Sequence, residues 1–234
     1  MAAVLVEVYP SAVVQEASSK QPNSRLATKK SNQLINKQNM KKTTVIIVIV
    51  AVLAAIVFWF VGKYNAMVNA DENVKTAWAQ VENQYQRRSD LIPNLVATVK
   101  GYAAHESQVL ESVVEARAKA TQVVVDPSRT SAEELAAFQA AQGELSQALG
   151  RLLAVSENYP DLKANQNFLE LQAQLEGTEN RIAVARNAFN EASKTYNMLV
   201  RRFPGNIVAS MFGFDQKAYF EAEPGAAKAP VVAF

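Results

Sequence analysis

The apolar positions of this chain fall into two regimes. Residues 45–61 (VIIVIVAVLAAIVFWFV) are apolar without a break, and from Val74 onward apolar residues recur at alternating steps of four and three. A helix rises about 1.5 Å per residue, so the run with Thr43, Thr44 and Gly62 covers roughly 30 Å, the hydrocarbon thickness of a bilayer. The run has no polar stripe to face water and ends in the aromatic residues Phe58, Trp59 and Phe60, which suits an interfacial anchor better than a signal-peptide cleavage site. A single transmembrane helix over 43–62 is expected, with the bilayer as its partner.

The second regime reads Val74, Trp78, Val81, Tyr85, Arg88, Ile92, Leu95, Val99, Tyr102, Glu106, Val109, Val113, Ala116, Ala120, Val123. This 3.5-residue repeat, sustained over about seven heptads, marks a helix whose seam faces partner helices. Pro93 interrupts the hydrogen-bond ladder but not the phase, which predicts a kink or short break around 88–93. Asp126-Pro127-Ser128 ends the region, and Ser131 with Glu134 fits a capping box for a helix with stripe Leu135, Phe138, Gln142, Leu145, Leu149, Leu152, Ser156. Asn158-Tyr159-Pro160-Asp161 reads as a turn. A last stripe follows: Phe168, Leu171, Leu175, Thr178, Ile182, Ala185, Phe189, Ala192, Tyr196, Leu199, Phe203, stopped by Pro204-Gly205.

Such stripes must cover one another, and short connections make neighbours antiparallel. The fold class expected is all-α: one N-terminal transmembrane helix, then an elongated antiparallel up-and-down bundle of three to four long helices with coiled-coil-like packing. The expected organisation is a disordered basic segment over 1–42, the anchor over 43–62, the bundle over 63–205, and over 206–234 a short apolar cap followed by a disordered Ala/Pro-rich tail. For the apolar stretch 206–214 the alternatives are a cap on the bundle, or a contact with membrane or a second protomer. Residues 18–39 are rich in Ser, Asn, Gln and Lys, and Met40-Lys41-Lys42 before the run reads as a bacterial membrane-protein start, with 1–39 as an extension upstream of it.

Charge orients the anchor. Residues 1–42 carry seven basic and two acidic side chains, leaving 17 basic and 20 acidic beyond. Lys and Arg are retained preferentially on the cytoplasmic side, so the expected location is a bacterial cell membrane with the N-terminus cytoplasmic and the helical domain outside.

Composition narrows the chemistry. The chain has no cysteine, which excludes disulfides, thiol catalysis and cysteine zinc sites. The only histidine, His105, precedes Glu106, but the zinc-protease motif needs a second histidine at position 109, which is Val109. Glycine-rich phosphate loops and Glu-x-x-His pairs are absent, and Gly101, Gly143, Gly150 and Gly177 read as small residues easing helix contacts. No cofactor, metal or small-molecule substrate is expected, and the chain reads as not an enzyme. Nucleic acid is disfavoured by the net negative charge beyond the run. Arg88 and Glu106 occupy seam positions where a lone charge would be costly. Arg88 is expected to meet Glu176 or Glu179 of the last helix, or else to snorkel outward near Pro93.

Five stretches carry a family resemblance: GKYNAMV (62–68), AWAQVENQYQRRSDLIPNLVATVKGYAAHE (77–106), LESVVEARAKA (110–120), ENYPDLKANQNFLELQAQLEGTENRIAVARNAFNEASKTYN (157–197) and RRFPGNIVA (201–209). Through them residues 40–214 resemble the LemA family of bacterial membrane proteins. The resemblance implies an N-terminal anchor followed by a helical bundle, and no established catalytic activity. The RRSDLIPN and TENRI strings recur in that family. Here they mark Arg87, Arg88, Asp90, Pro93, Asn94, Glu179, Asn180 and Arg181, together with the seam residue Glu106, as candidates for structural or interaction roles. The leading functional expectation is a scaffold or protein-interaction module with a protein partner or a homo-oligomeric state. The alternatives are an accessory subunit of a membrane protease or transport complex, and a self-assembling membrane-bound oligomer.

Overall fold

The computed structural model describes residues 22–221, without the side chains of residues 22–28, 34, 35, 38 and 39. The chain divides into two units, Met1–Trp59 and Phe60–Phe234. Among the described residues all regular structure is helical: α1 Pro22–Tyr102, α2 Ser107–Gln122, α3 Ala132–Ser156, α4 Pro160–Lys163, α5 Gln166–Arg201 and α6 Gly205–Phe212.

In the first unit, α1 begins well upstream of the expected anchor. The segment from Pro22 to Lys42 is helical where its polar composition predicts disorder. Pro22 stands at the first helical position, where its missing N–H costs nothing, and no Gly or Pro follows before Gly62. The expectation for residues 1–21 falls outside the described residues, as does that for 222–234. From Val45 onward the apolar side chains of this unit are exposed, Phe58 by 79%. The helix is long and apolar enough there to cross a membrane.

The second unit is held by two apolar clusters. One gathers Met67, Val74, Trp78, Val81 and Tyr85 of α1 with Leu135, Phe138, Ile182, Phe189, Tyr196 and Phe220. The other gathers Ile92, Leu95, Val99 and Ala103 with Val113, Leu145, Leu152, Leu162 and Phe168. Contacts fix the directions. Along α1, Trp78 meets Phe189, Arg88 meets Glu179 and Tyr102 meets Asn165, so α1 and α5 run antiparallel. Trp78 also meets Phe138 and Arg88 meets Ser146, so α3 runs with α1. Arg117 of α2 reaches back to Ser89, so α2 runs against both.

The chain reverses at Ala103–Glu106, not around 88–93. Beyond Val99 the buried positions are Ala103, Leu110, Val113, Ala116 and Ala120, whereas Tyr102 is 44% exposed. The apparent continuity of the heptads therefore hides two helices, and Glu106 belongs to a turn instead of a seam. The helix passes Pro93 unbroken because its orphaned acceptor finds a new donor. Proline at 93 removes the hydrogen bond to the carbonyl of Ser89, and Arg117 Nε donates to that oxygen at 2.9 Å. Pro93 itself faces solvent.

The α3 stripe is buried at every expected position, and the Ser131–Glu134 capping box forms in both directions. On α5 the expected positions hold to Phe189, after which the buried set becomes Ser193, Tyr196, Asn197 and Val200 while Phe203 is 81% exposed. A straight helix drifts about 20° per heptad against a 3.5 repeat, and here the drift turns Asn197 toward the C-terminal strap, residues 214–221. Gly101, Gly143, Gly150 and Gly177 face open space, so close packing is not their role.

A double-mutant cycle between Arg117→Ala and Pro93→Ala checks the repaired ladder. Arg117→Ala alone is expected to destabilise by about 1–3 kcal/mol in denaturant unfolding. With alanine at 93 the backbone satisfies Ser89 itself, and the cost of losing Arg117 should shrink to a few tenths of a kcal/mol.

Candidate interaction site

Among the described residues Arg88 is the largest buried charged side chain, at 1% exposure. It lies on the buried stripe of α1, where α3 and α5 scarcely touch each other. Its Nη1 donates to Glu179 Oε1 at 2.7 Å and to Ser146 Oγ at 2.9 Å. Its Nη2 donates to the side-chain and backbone oxygens of Gln142. The Gln142 amide in turn donates to the carbonyl of Ala120 at 3.2 Å, tying α2 into the same network. The guanidinium also lies 5.0 Å from the Tyr85 ring centroid. A buried charge is tolerated only when paired and hydrogen-bonded, and contacts from α3 and α5 satisfy both terminal nitrogens of the guanidinium, while Nε has no hydrogen-bond partner among the described residues.

This network opens onto a groove of about 740 Å³ between α3 and α5, with Tyr85 and Arg88 at its base and Gln139, Gln147, Glu179 and Arg186 on its walls. The Arg88 guanidinium is committed to Glu179 and Gln142, so the groove walls present amides, carboxylates and the Arg186 guanidinium. Among the described residues no group of three or more potential metal ligands comes together.

The other candidates scatter. Arg87, Asp90, Pro93 and Asn94 face solvent on α1, with Asp90 accepting from Gln86 at 2.7 Å. Asn180 and Arg181 face solvent on α5. Glu106 sits in the turn after α1 and accepts from the Tyr159 hydroxyl at 3.2 Å. Of the named set, only Arg88 and Glu179 are brought together.

A second buried cation escaped sequence reasoning. Lys217, at 4% exposure, pairs with Asp71 of α1 at 2.9 Å and donates to the carbonyls of Pro127 and Ser128. Burial alone would raise the Asp71 carboxyl, but the hydrogen bonds from Lys217 and Lys75 outweigh it and hold the group below its ordinary value. The neighbouring Tyr196 phenol is pushed up to about 12 by burial and by the charges of Asp71 and Asp215. Lys217 belongs to the strap, which α5 grips through two asparagines. The Asn197 side-chain amide pairs with both the N–H and the C=O of Lys217, at 2.8 Å each. Asn190 does the same to Phe220, at 3.0 and 2.8 Å. Seven helical residues rise about 10.5 Å and three extended residues about 10 Å, so the spacings match. Phe220 then stacks on Trp78 with centroids 6.0 Å apart. The usable sequence signal was Asn190 and Asn197, seven apart on a face that would otherwise be apolar.

Two predictions follow from these networks. Glu179→Ala is expected to destabilise by about 1–3 kcal/mol in thermal or denaturant unfolding, and Arg88→Met should remove most of that cost in the double variant. The Asp71 carboxyl contributes its full stabilisation above its ordinary value of 3.8 and loses it as pH falls through the lower folded value. Protection of the Lys217 and Phe220 amides from hydrogen exchange, relative to the unfolded chain at the same pH, should therefore fall below about pH 4, and Asp71→Asn should reproduce that loss of protection at pH 7.

The sequence model of the LemA family matches residues 77–234. The chain is 27% identical to magnetosome protein MamQ 2 of Paramagnetospirillum magneticum, over 77% of this chain and 72% of that protein. It shows the same identity and coverage with magnetosome protein MamQ of Magnetospirillum gryphiswaldense. Protein LemA of Metamycoplasma hominis is 24% identical over 73% of this chain and 75% of its own length. The family match takes in α2 to α6, both residues of the Arg88–Glu179 pair, and the strap with Lys217. The chain belongs to the LemA family.

Proposed function

We propose that this protein is a single-pass membrane protein that holds a non-enzymatic helical scaffold at the membrane surface, with the α3–α5 face presented to a protein partner. The observation that carries the reading is the contrast within α1. Its residues from Val45 to Trp59 are exposed apolar side chains, while from Met67 to Val99 one stripe of apolar side chains is buried at helical spacing. Lipid is the environment in which the first stretch is stable, since every backbone polar group is satisfied within the helix. The second stretch supplies one member of an up-and-down bundle with coiled-coil-like seams.

The buried polar groups support a structural role. Arg88 and Lys217 are spent on protein acceptors, and none of the networks pairs a nucleophile with a base. The names of the relatives, magnetosome protein MamQ and protein LemA, state no reaction. The excess of Lys and Arg before the run supports a cytoplasmic N-terminus with the helical domain that follows residue 62 on the opposite side of a bacterial cell membrane.

Fractionation of cells under alkaline carbonate tests the anchor. The intact chain should remain with the membrane, and Val48→Asp with Leu53→Arg should shift it to the soluble fraction, since a central charge costs about 2.5–3.5 kcal/mol each. The chain has no cysteine, so single variants report orientation cleanly. An impermeant maleimide applied to intact cells should label Glu133→Cys and spare Asn32→Cys, and the reverse pattern would invert the topology.

A further inference from the structure

One end of the second unit, which itself begins with Phe60 and Val61, is built from residues 60–70 of α1 and residues 198–214. Helix α6 lies along α1 there. Its first residue, Gly205, packs so closely that a Cβ would meet the Leu199 carbonyl oxygen at 2.7 Å and Met67 Cε at 3.2 Å. Its last residue, Phe212, meets the Tyr64 ring with centroids 4.9 Å apart. Val208 and Ala209 are buried beneath it, and Gly213 closes it in the left-handed conformation. The outward face of α6 nevertheless remains largely apolar: beside the exposed Asn206, Ile207 is 45%, Met211 65% and Phe212 55% exposed, and Phe203 just before it is 81% exposed. The one hydroxyl on that helix, Ser210, is exposed but donates back to the Ile207 carbonyl at 3.0 Å.

A face this apolar requires a partner, and two observations select which. It is continuous with lipid-type surface, because Val61, half exposed, ends the apolar run three residues before Tyr64. It is also basic: residues 60–70 and 198–214 contain Lys63, Arg201 and Arg202 and no Asp or Glu. Apolar side chains at one level with cations around them are the composition of a helix lying in the headgroup region of an anionic bilayer.

We infer that α6, with Phe203, is a membrane-contacting foot that inserts Ile207 and Met211 into the bilayer surface beside the emerging α1. This rests on the membrane reading of the apolar run, and the test separates the two. The full chain, with single cysteines at Ile207, Met211, Leu53 or Ser107, is labelled with bimane. It is then reconstituted in phosphatidylcholine–phosphatidylglycerol nanodiscs and quenched with brominated lipid or aqueous iodide. Ser107, at the start of α2, is the aqueous reference, since Tyr102 lies about 57 Å along α1 from Tyr64. Labels at 207 and 211 should lose about half their emission to brominated lipid and be protected from iodide, against almost no lipid quenching at 107. If Leu53 is quenched by lipid while 207 and 211 behave like 107, the span stands and the foot is wrong. If Leu53 also escapes lipid quenching, the span reading fails and takes the foot with it. Protection of 207 and 211 from iodide without lipid quenching would mean that a second copy covers the face, which also overturns the inference.

Discussion

Burial of one stripe of α1 governs the second unit. From Met67 to Val99 this stripe carries Val74, Trp78, Val81, Ile92, Leu95 and Val99, each at most 1% exposed. No isolated helix in water tolerates such a surface, and α2, α3 and α5 are where they are because they cover it. Each fully buried side chain of this size contributes on the order of 2 kcal/mol, so the stripe far outweighs any single polar contact in the domain. The apolar run before it has the opposite character. It offers a uniform exposed surface with no stripe.

Against that apolar background the polar insertions define register. A helix covered only by aliphatic side chains can slide by a turn at modest cost, because one apolar neighbour replaces another. Arg88 cannot slide, since its guanidinium needs Glu179, Gln142 and Ser146 in their present places. Lys217 acts likewise on the strap through Asp71 and the carbonyls of Pro127 and Ser128. Arg117 plays a third version of the same part, replacing the hydrogen bond that Pro93 denies to Ser89. These contacts join four helices, a loop and the strap at fixed heights. That fixity gives the groove between α3 and α5 a defined shape.

The sequence was most legible where one helix runs uninterrupted against the core. The α3 stripe and its capping box, and the α5 stripe as far as Phe189, are local consequences of spacing and cap chemistry. Legibility failed where two solutions share one pattern. Val99, Tyr102, Glu106 and Val109 continue a 3.5-residue repeat on paper, yet the chain turns at Ala103–Glu106 and the phase moves to Ala103 and Leu110. Helix continuity past Pro93 was equally hidden, because the donor that repairs the ladder lies 28 residues away in sequence. At the site, Arg88 and its pairing with Glu179 were readable because a charge in an apolar seam demands a counter-charge. Lys217 was not, since an extended strap has no periodicity to betray a buried position.

The sequence by itself determined that the chain is helical, that residues 45–61 form a lipid-compatible run, and that a charged residue interrupts the main seam. It also carried the strings by which the LemA family is recognised. Those are properties of spacing, composition and side-chain type, and they act over one or two helical turns. Tertiary structure alone decided where α1 ends, which of two carboxylates meets Arg88, and that residues 214–221 close over Trp78. These depend on groups far apart in sequence competing for the same buried acceptors and the same apolar surface. That competition is resolved only when all the helices are packed at once.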